Sequence, residues 1–396
     1  MFYIIVFLIL GYFSYSEFRG REYKYTSFTV VSAFITLIAF MRYGEGTDYF
    51  GYMFNYYITP SVFDFPTAFS NGVHGEIGFI VLSSLFRTFN ISFEVFAGVM
   101  ALCSMVLVCR FIKKYSKMPI TSLTIFYVLY YLVYIFSGIR QGLAIAIFIG
   151  IGIDLYKKDK YKEFIILILF TATIHSSVLV TLLILPLTKY KVSYKFYAGI
   201  IALAALIMVS KVDLMLINLL PEFISSKVLI YWGEGSISML AFANRATVLL
   251  LILFYSFGEQ EDENVALFKK IYIIGFILYL VTIKSMTISS RISLYFKVFE
   301  IILIPNIIIN LIKNAKRFKA IQLLGFTTII ISALLLKTLN AFLGEGDYLE
   351  HLSAIRYPYV SVFNKEKIWE YRRMDIHYSA TQRVLREREI ESNNKK

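Results

Sequence analysis

Runs of roughly 18 to 22 apolar residues recur from Phe2 to Leu336, separated by short charged segments. Wound as helices, such runs are each long enough to cross the ~30 Å hydrocarbon layer of a bilayer. The chain is 58% hydrophobic and only 17% charged, more apolar residue than a soluble fold can use, because its surface must still be solvated. The pattern predicts an all-α, polytopic transmembrane helical protein with about 10–12 spans.

The expected spans are 2–18, 26–42, 93–112, 120–137, 142–156, 196–210, 245–257, 271–288, 292–312 and 320–336. Residues 164–187 are also apolar, but Thr171, Thr173, His175, Ser176 and Ser177 interrupt them. They read as one polar-centred span or as a pair of half-helices. Residues 77–89 are too short and amphipathic to span, and suit an interfacial or re-entrant segment.

Basic residues set the sides. Arg19, Arg21 and Lys24 form one basic loop, and Lys113, Lys114 and Lys117 a second. Lys157 to Lys162, Lys189 to Lys195, Lys269 with Lys270, and Lys313 to Lys319 follow. All fall on the cytoplasmic side if 164–187 enters and leaves on one side, so the sequence favours a hairpin there. The outward stretches are then about 43–92, 138–141, 211–244 and 289–291, with a further one from Lys337. The loop 211–244 is amphipathic and suits the interface. Residues 1–340 thus form the membrane domain, with outer loops 43–92 and 211–244, and 341–396 a C-terminal outer loop and charged tail. From 364 the tail reads as solvated helix or disorder. The topology puts it outside, while its positive balance argues the other way.

The net charge of +13 is dispersed among short loops, so it orients the chain in a membrane and does not form a nucleic-acid surface. Cys103 and Cys109 lie six residues apart, on different faces of a helix, which predicts neither a disulfide nor a metal site. His74, His351 and His377 lack ligand spacing, so no metal is expected. No nucleotide-binding loop is visible, and no cofactor is expected. The apolar start lacks a basic leader and reads as an uncleaved first span.

The outward side is poor in basic residues, which makes those it keeps conspicuous. Arg42, Arg140, Arg245 and Arg291 stand at outer ends of spans, Arg356 lies in the last loop, and Lys284 sits a turn or two inside from Arg291. Charge at such depth costs at least about 2–3 kcal/mol unless paired or facing a polar cavity. Arginine's planar donor fork matches phosphate oxygens, so a converging set suits a lipid-linked diphosphate; each alone also reads as a snorkelling or capping residue. Asp48 and Glu76 lie in the first outer loop, where a carboxylate suits a general base toward a sugar hydroxyl. Glu76 reads equally as a helix cap or an arginine's partner. His175 reads as a phosphate donor, a base or an interhelical hydrogen bond. Tyr49, Tyr52, Tyr56 and Tyr57 suit stacking on sugars, although the abundance of tyrosine favours an interfacial belt.

The series Arg42-Tyr43-Gly44-Glu45-Gly46-Thr47-Asp48-Tyr49, Gly75-Glu76-Ile77-Gly78-Phe79, Ser137-Gly138-Ile139-Arg140-Gln141-Gly142 and Ile174-His175-Ser176-Ser177 resembles the EpsG family of Wzy-like polymerases. Arg291-Ile292-Ser293-Leu294-Tyr295 and Arg356-Tyr357-Pro358-Tyr359 extend the resemblance over about residues 1–360. Each motif is short; their order is what is specific. The resemblance implies a glycosyltransferase of the plasma (inner) membrane, related to the GT-C class, with its active face periplasmic or extracellular. It would join undecaprenyl-diphosphate-linked oligosaccharide units, both donor and acceptor, in making O-antigen, capsule or exopolysaccharide. A chain-length regulator or export machinery would be its partners.

The resemblance carries Asp48, Glu76, Arg140 and His175 over as catalytic residues. It makes Arg42, Gln141, Arg245 and Arg291 contacts to diphosphate or glycan; Lys284, by its depth, and Tyr49, by its place in the first outer loop, are added to these from the residues themselves. The rival readings are an O-antigen ligase using the same donor, and a lipid-linked oligosaccharide flippase, which should show repeats that this chain lacks.

Overall fold

A computed structural model describes residues 2–19, 24–189, 199–204, 239–255, 262–313 and 359–368, with scattered positions in 217–232 and 321–332. The expected spans 196–210 and 320–336, most of the loop 211–244, Arg356 and the tail beyond 368 lie largely or wholly outside these. Among the described residues there are helices and no strand, only an isolated bridge between Arg42 and Ser361. Among the described residues, four helices are long and apolar enough to cross a membrane: Phe93–Tyr115, Pro119–Ser137, Ile139–Lys157 and Glu263–Thr282. A pair bent by 45°, Thr287–Lys297 and Glu300–Asn310, adds a fifth, and shorter apolar helices include Phe2–Phe18 and Tyr25–Met41. The protein is an all-α, multi-pass membrane protein.

The chain divides into two compact units. Unit 1 holds residues 1–113, 119–176 and 335–396; unit 2 holds 114–118 and 177–334.

In unit 1, the first helices are pinned to Pro119–Ser137 by hydroxyls that satisfy backbone carbonyls without water, as a bilayer interior demands. Tyr127 OH donates to Tyr3 O (3.0 Å) and Tyr131 OH to Ile35 O (2.5 Å). Glu17 accepts the Ile120 and Thr121 N–H groups (3.1 and 2.9 Å), which begin a helix and lack an intrahelical acceptor. Ile5, Leu8, Val30, Phe34, Val106, Ile166 and Phe170 stay exposed, as side chains facing lipid should.

Pro119–Ser137 ends in a π-helical stretch, Tyr127–Ser137, whose last turn closes when Gly138 N–H donates to Val133 O (2.7 Å). The chain then reverses, and Ile139–Lys157 packs back against the stretch. Gly142 permits this: a Cβ there would lie 2.0 Å from Tyr134 O. Gly142→Ala is therefore expected to force the two helices apart and cost about 1–3 kcal/mol or more, read as a lower unfolding temperature of the purified protein.

The polar interruption is a true helix break. One helix runs Tyr161–Ala172, and a new helical piece begins at Ser176 and ends at Lys189. The segment expected at 77–89 is a helix, Ile77–Thr88, whose buried face mixes Phe79 and Ile80 with two serines. Ser83 and Ser84 are buried and bonded to Phe79 O and Pro60 O, while Ile77, Val81, Leu85 and Phe89 are exposed. Its 12 residues reach about 18 Å, too short to span, and an apolar outer face suits lipid contact.

The C-terminal stretch 359–368 belongs to unit 1. Tyr43 N–H donates to Val360 O (2.9 Å), Val362 N–H to Met41 O (2.9 Å), and Val360 N–H to the buried Glu45 carboxylate (2.8 Å). Ile368 is 1% exposed and fills the space over Gly44, so the docked stretch runs past 364 into what reads as solvated tail. It places this part of the C-terminal region beside the first loop.

Unit 2 corrects two boundaries. The span expected at 271–288 is a helix over Glu263–Thr282, and Lys284 sits in the break Ile283–Ser285 instead of inside a helix. The span expected at 292–312 is broken between Lys297 and Glu300. Around that break Ile301 N–H and Ile302 N–H bond three residues back, a tightened turn that bends the axis.

Candidate active site

Three separated stretches of unit 1 converge on one carboxylate. Glu76 occupies the N-cap of Ile77–Thr88 but makes no side-chain cap bond. Its carboxylate instead receives Arg140 Nη1 at Oε2 (2.5 Å) and Ser176 N–H at Oε1 (3.1 Å). His175 Nδ1 stands 3.2 Å from the same Oε1, at ion-pair distance. The three side chains are each partly exposed, between 13% and 25%.

Glycines make the convergence geometrically allowed. Gly78 N–H donates to Thr173 O (2.7 Å), and a Cβ on Gly78 would meet Thr173 Oγ1 at 2.2 Å and Thr173 O at 2.8 Å. Helix and turn are therefore in backbone contact, which holds Glu76 against His175 and Ser176. Gly75 has φ +145°, and a Cβ there would touch Arg140 Nη1 at 3.0 Å. Both positions need glycine for close approach.

Arg140 is fixed on two of its three nitrogens. Nη1 is on Glu76, and Nε donates to Tyr52 OH (3.3 Å), with the guanidinium 5.4 Å from the Tyr52 ring centre and 5.7 Å from that of Phe79. Nη2 has no protein acceptor among the described residues, so a guanidinium oriented by Glu76 and stacked on aromatic rings keeps one donor edge open. Tyr52 and Ser176 thus join the site by contacts that motif reading does not assign them. The signal available for Tyr52 was its place on the Tyr49–Ile58 helix, one turn beyond Asp48.

Burial raises the pKa of the Glu76 carboxyl, but His175 when protonated, the Arg140 guanidinium and the Ser176 N–H outweigh it and hold the group at about 2. Lowered in the folded state, this pKa makes Glu76 stabilising above the ordinary carboxylate value near 4.5, with the contribution lost as pH falls toward about 2. Unfolding temperatures of wild type are expected to drop over that acidic window more than those of Glu76→Gln; parallel curves would contradict the assignment.

Asp48 caps Tyr49–Ile58 by position but makes no side-chain cap bond, and its carboxylate is exposed. Thr47 Oγ1 donates to it (3.3 Å). The structure gives Arg42 and Tyr49, both expected at the substrate, structural contacts instead. Arg42 is 2% exposed, donates to Ala39 O (2.6 Å) and Phe136 O (3.4 Å), and lies over the Phe136 ring. Tyr49 is 1% exposed and packs on Tyr43, Phe50 and Phe93. Gln141 is buried beside Arg140 in sequence.

In unit 2, Arg245 is buried, stacked 4.1 Å from the Tyr279 ring centre and bonded to Ser293 Oγ (3.1 Å). Nearby, Lys297 pairs with the fully buried Glu300, which also accepts from Asn244. Lys284 is partly exposed and Arg291 exposed. Among the described residues no group of His, Cys, Asp and Glu could hold a metal.

Comparison with known proteins returns one family model, described as the EpsG family, which matches residues 25–349. No curated protein and no solved structure matches the chain.

Proposed function

The chain belongs to the EpsG family, the family of Wzy-like polysaccharide polymerases, and from that premise we propose that it joins polyprenyl-diphosphate-linked oligosaccharide units. The observation that carries the reading is Arg140, oriented through two nitrogens and open at the third. A rigid guanidinium presenting a free edge is suited to a diphosphate, and it needs no reorganisation when charge develops there.

In the reaction, an acceptor hydroxyl attacks the anomeric carbon of the donor sugar. The new glycosidic C–O bond forms as the bond to the diphosphate oxygen breaks, and the diphosphate leaves with the electron pair. Arg140 stabilises that charge, with His175 as a second donor when protonated. The hydroxyl proton passes to Asp48. Glu76 suits this role poorly, because a carboxylate held near pKa 2 is a weak base; it positions Arg140. The glycan donor is already activated, so no nucleotide takes part. The undecaprenyl carrier, a second lipid-linked unit as acceptor, and an outward-facing site in a bacterial plasma membrane complete the reading.

The test supplies purified protein with lipid-diphosphate-linked repeat units and no nucleotide sugar. A ladder of lengthened glycan is expected. Translocation of the oligosaccharide across vesicles without lengthening would overturn the reading in favour of a flippase.

A further inference from the structure

Loop residues 46–48 are held on the final turn before Arg140 by contacts that the proposed reaction does not use. Gly46 has φ +104°, and a Cβ there would lie 2.8 Å from Phe136 O and 2.9 Å from Ser137 Cα, so the loop backbone rests directly on the helix end. Beside it, Asp48 N–H donates to Ser137 Oγ (3.2 Å). Thr47 Oγ1 and Ser137 Oγ are 2.5 Å apart, and Thr47 Oγ1 reaches Asp48 Oδ1 at 3.3 Å.

Each hydroxyl has one proton, so only one arrangement satisfies all three contacts. Ser137 donates to Thr47, Thr47 donates to the Asp48 carboxylate, and the Asp48 N–H donates to Ser137. In this arrangement the two hydroxyl protons and the Asp48 N–H are each used once. Ser137 is 6% exposed, whereas the carboxylate it steadies is exposed. The same turn leads through Gly138 into Arg140, so these contacts tie the carboxylate's position to the arginine's.

We propose that Ser137 is a positioning residue that sets the Asp48 carboxylate in register with Arg140. The proposal rests on Asp48 being the base in the scheme above. A buried hydroxyl spanning two chain segments fixes geometry, and loss of that geometry costs rate more than affinity.

The test measures lengthening kinetics for Ser137→Ala, Ser137→Thr, Asp48→Asn and the double variant Ser137→Ala/Asp48→Asn. Ser137→Ala is expected to lower kcat about tenfold with KM little changed, and Ser137→Thr, which keeps the hydroxyl, to recover most of it. On the Asp48→Asn background, Ser137→Ala should add no further loss, because its effect runs through Asp48. Wild-type kcat in Ser137→Ala, or an equal loss on both backgrounds, overturns the proposal while leaving the base assignment intact. Near wild-type activity in Asp48→Asn instead overturns the base assignment on which it rests.

Discussion

Arg140→Ala is expected to lower kcat/KM for chain lengthening by about 10²–10³-fold, the usual effect of removing one preorganised donor from a developing negative charge. Most of the loss should fall on kcat, since the open Nη2 edge matters most when the diphosphate departs. Arg140→Lys should recover little. An ammonium can pair with Glu76, but it cannot hold Glu76 and Tyr52 and still present a donor edge in a fixed plane. Steady-state kinetics on lipid-linked repeat units check this. Recovery by lysine to near wild type would mean that charge alone, not orientation, is used.

Gly78→Ala is expected to lower activity about 10²-fold without touching a charged group. The added methyl would sit 2.2 Å from Thr173 Oγ1 and 2.8 Å from its carbonyl, so helix and turn must separate by about 1 Å. That shift draws Glu76 away from His175 and Ser176 and loosens the brace on Arg140. Thr173→Ala in the same chain should not restore activity, because the carbonyl clash remains. Lengthening kinetics for the single and double variants read this out, and full rescue by Thr173→Ala would contradict it.

Much of the helical framework is legible in the chain because apolar runs bounded by charge leave few alternatives. Phe93–Tyr115, Pro119–Ser137 and Ile139–Lys157 all lie where such runs place them. The break between Lys297 and Glu300 is not legible from hydropathy, because the two charges that bracket it pair with each other across the turn and leave no loop-like stretch in the sequence. Nor is the docking of Val360 and Ile368, whose partners lie over 300 positions earlier in the chain.

The site divides similarly. Order along the chain brings Glu76, Arg140 and His175 forward as candidates, and unit 1 brings them into contact. Arg42 shares residue type and topological position with Arg140, yet it is buried on Phe136 while Arg140 keeps an open edge. Hydropathy carries no information on which way a side chain at a helix end turns. The glycines at 75 and 78 carry that information only once their neighbours across the site are known.

The central claim is that the open edge of Arg140 receives a diphosphate. Equilibrium binding of a polyprenyl diphosphate, without glycan, to the purified wild-type protein and to Arg140→Ala tests it most directly, with the polyprenyl alcohol as control for the lipid chain. The variant is expected to bind the diphosphate at least tenfold more weakly, a loss of about 1.4 kcal/mol, and the alcohol equally well. Equal affinity of both proteins for the diphosphate would contradict it.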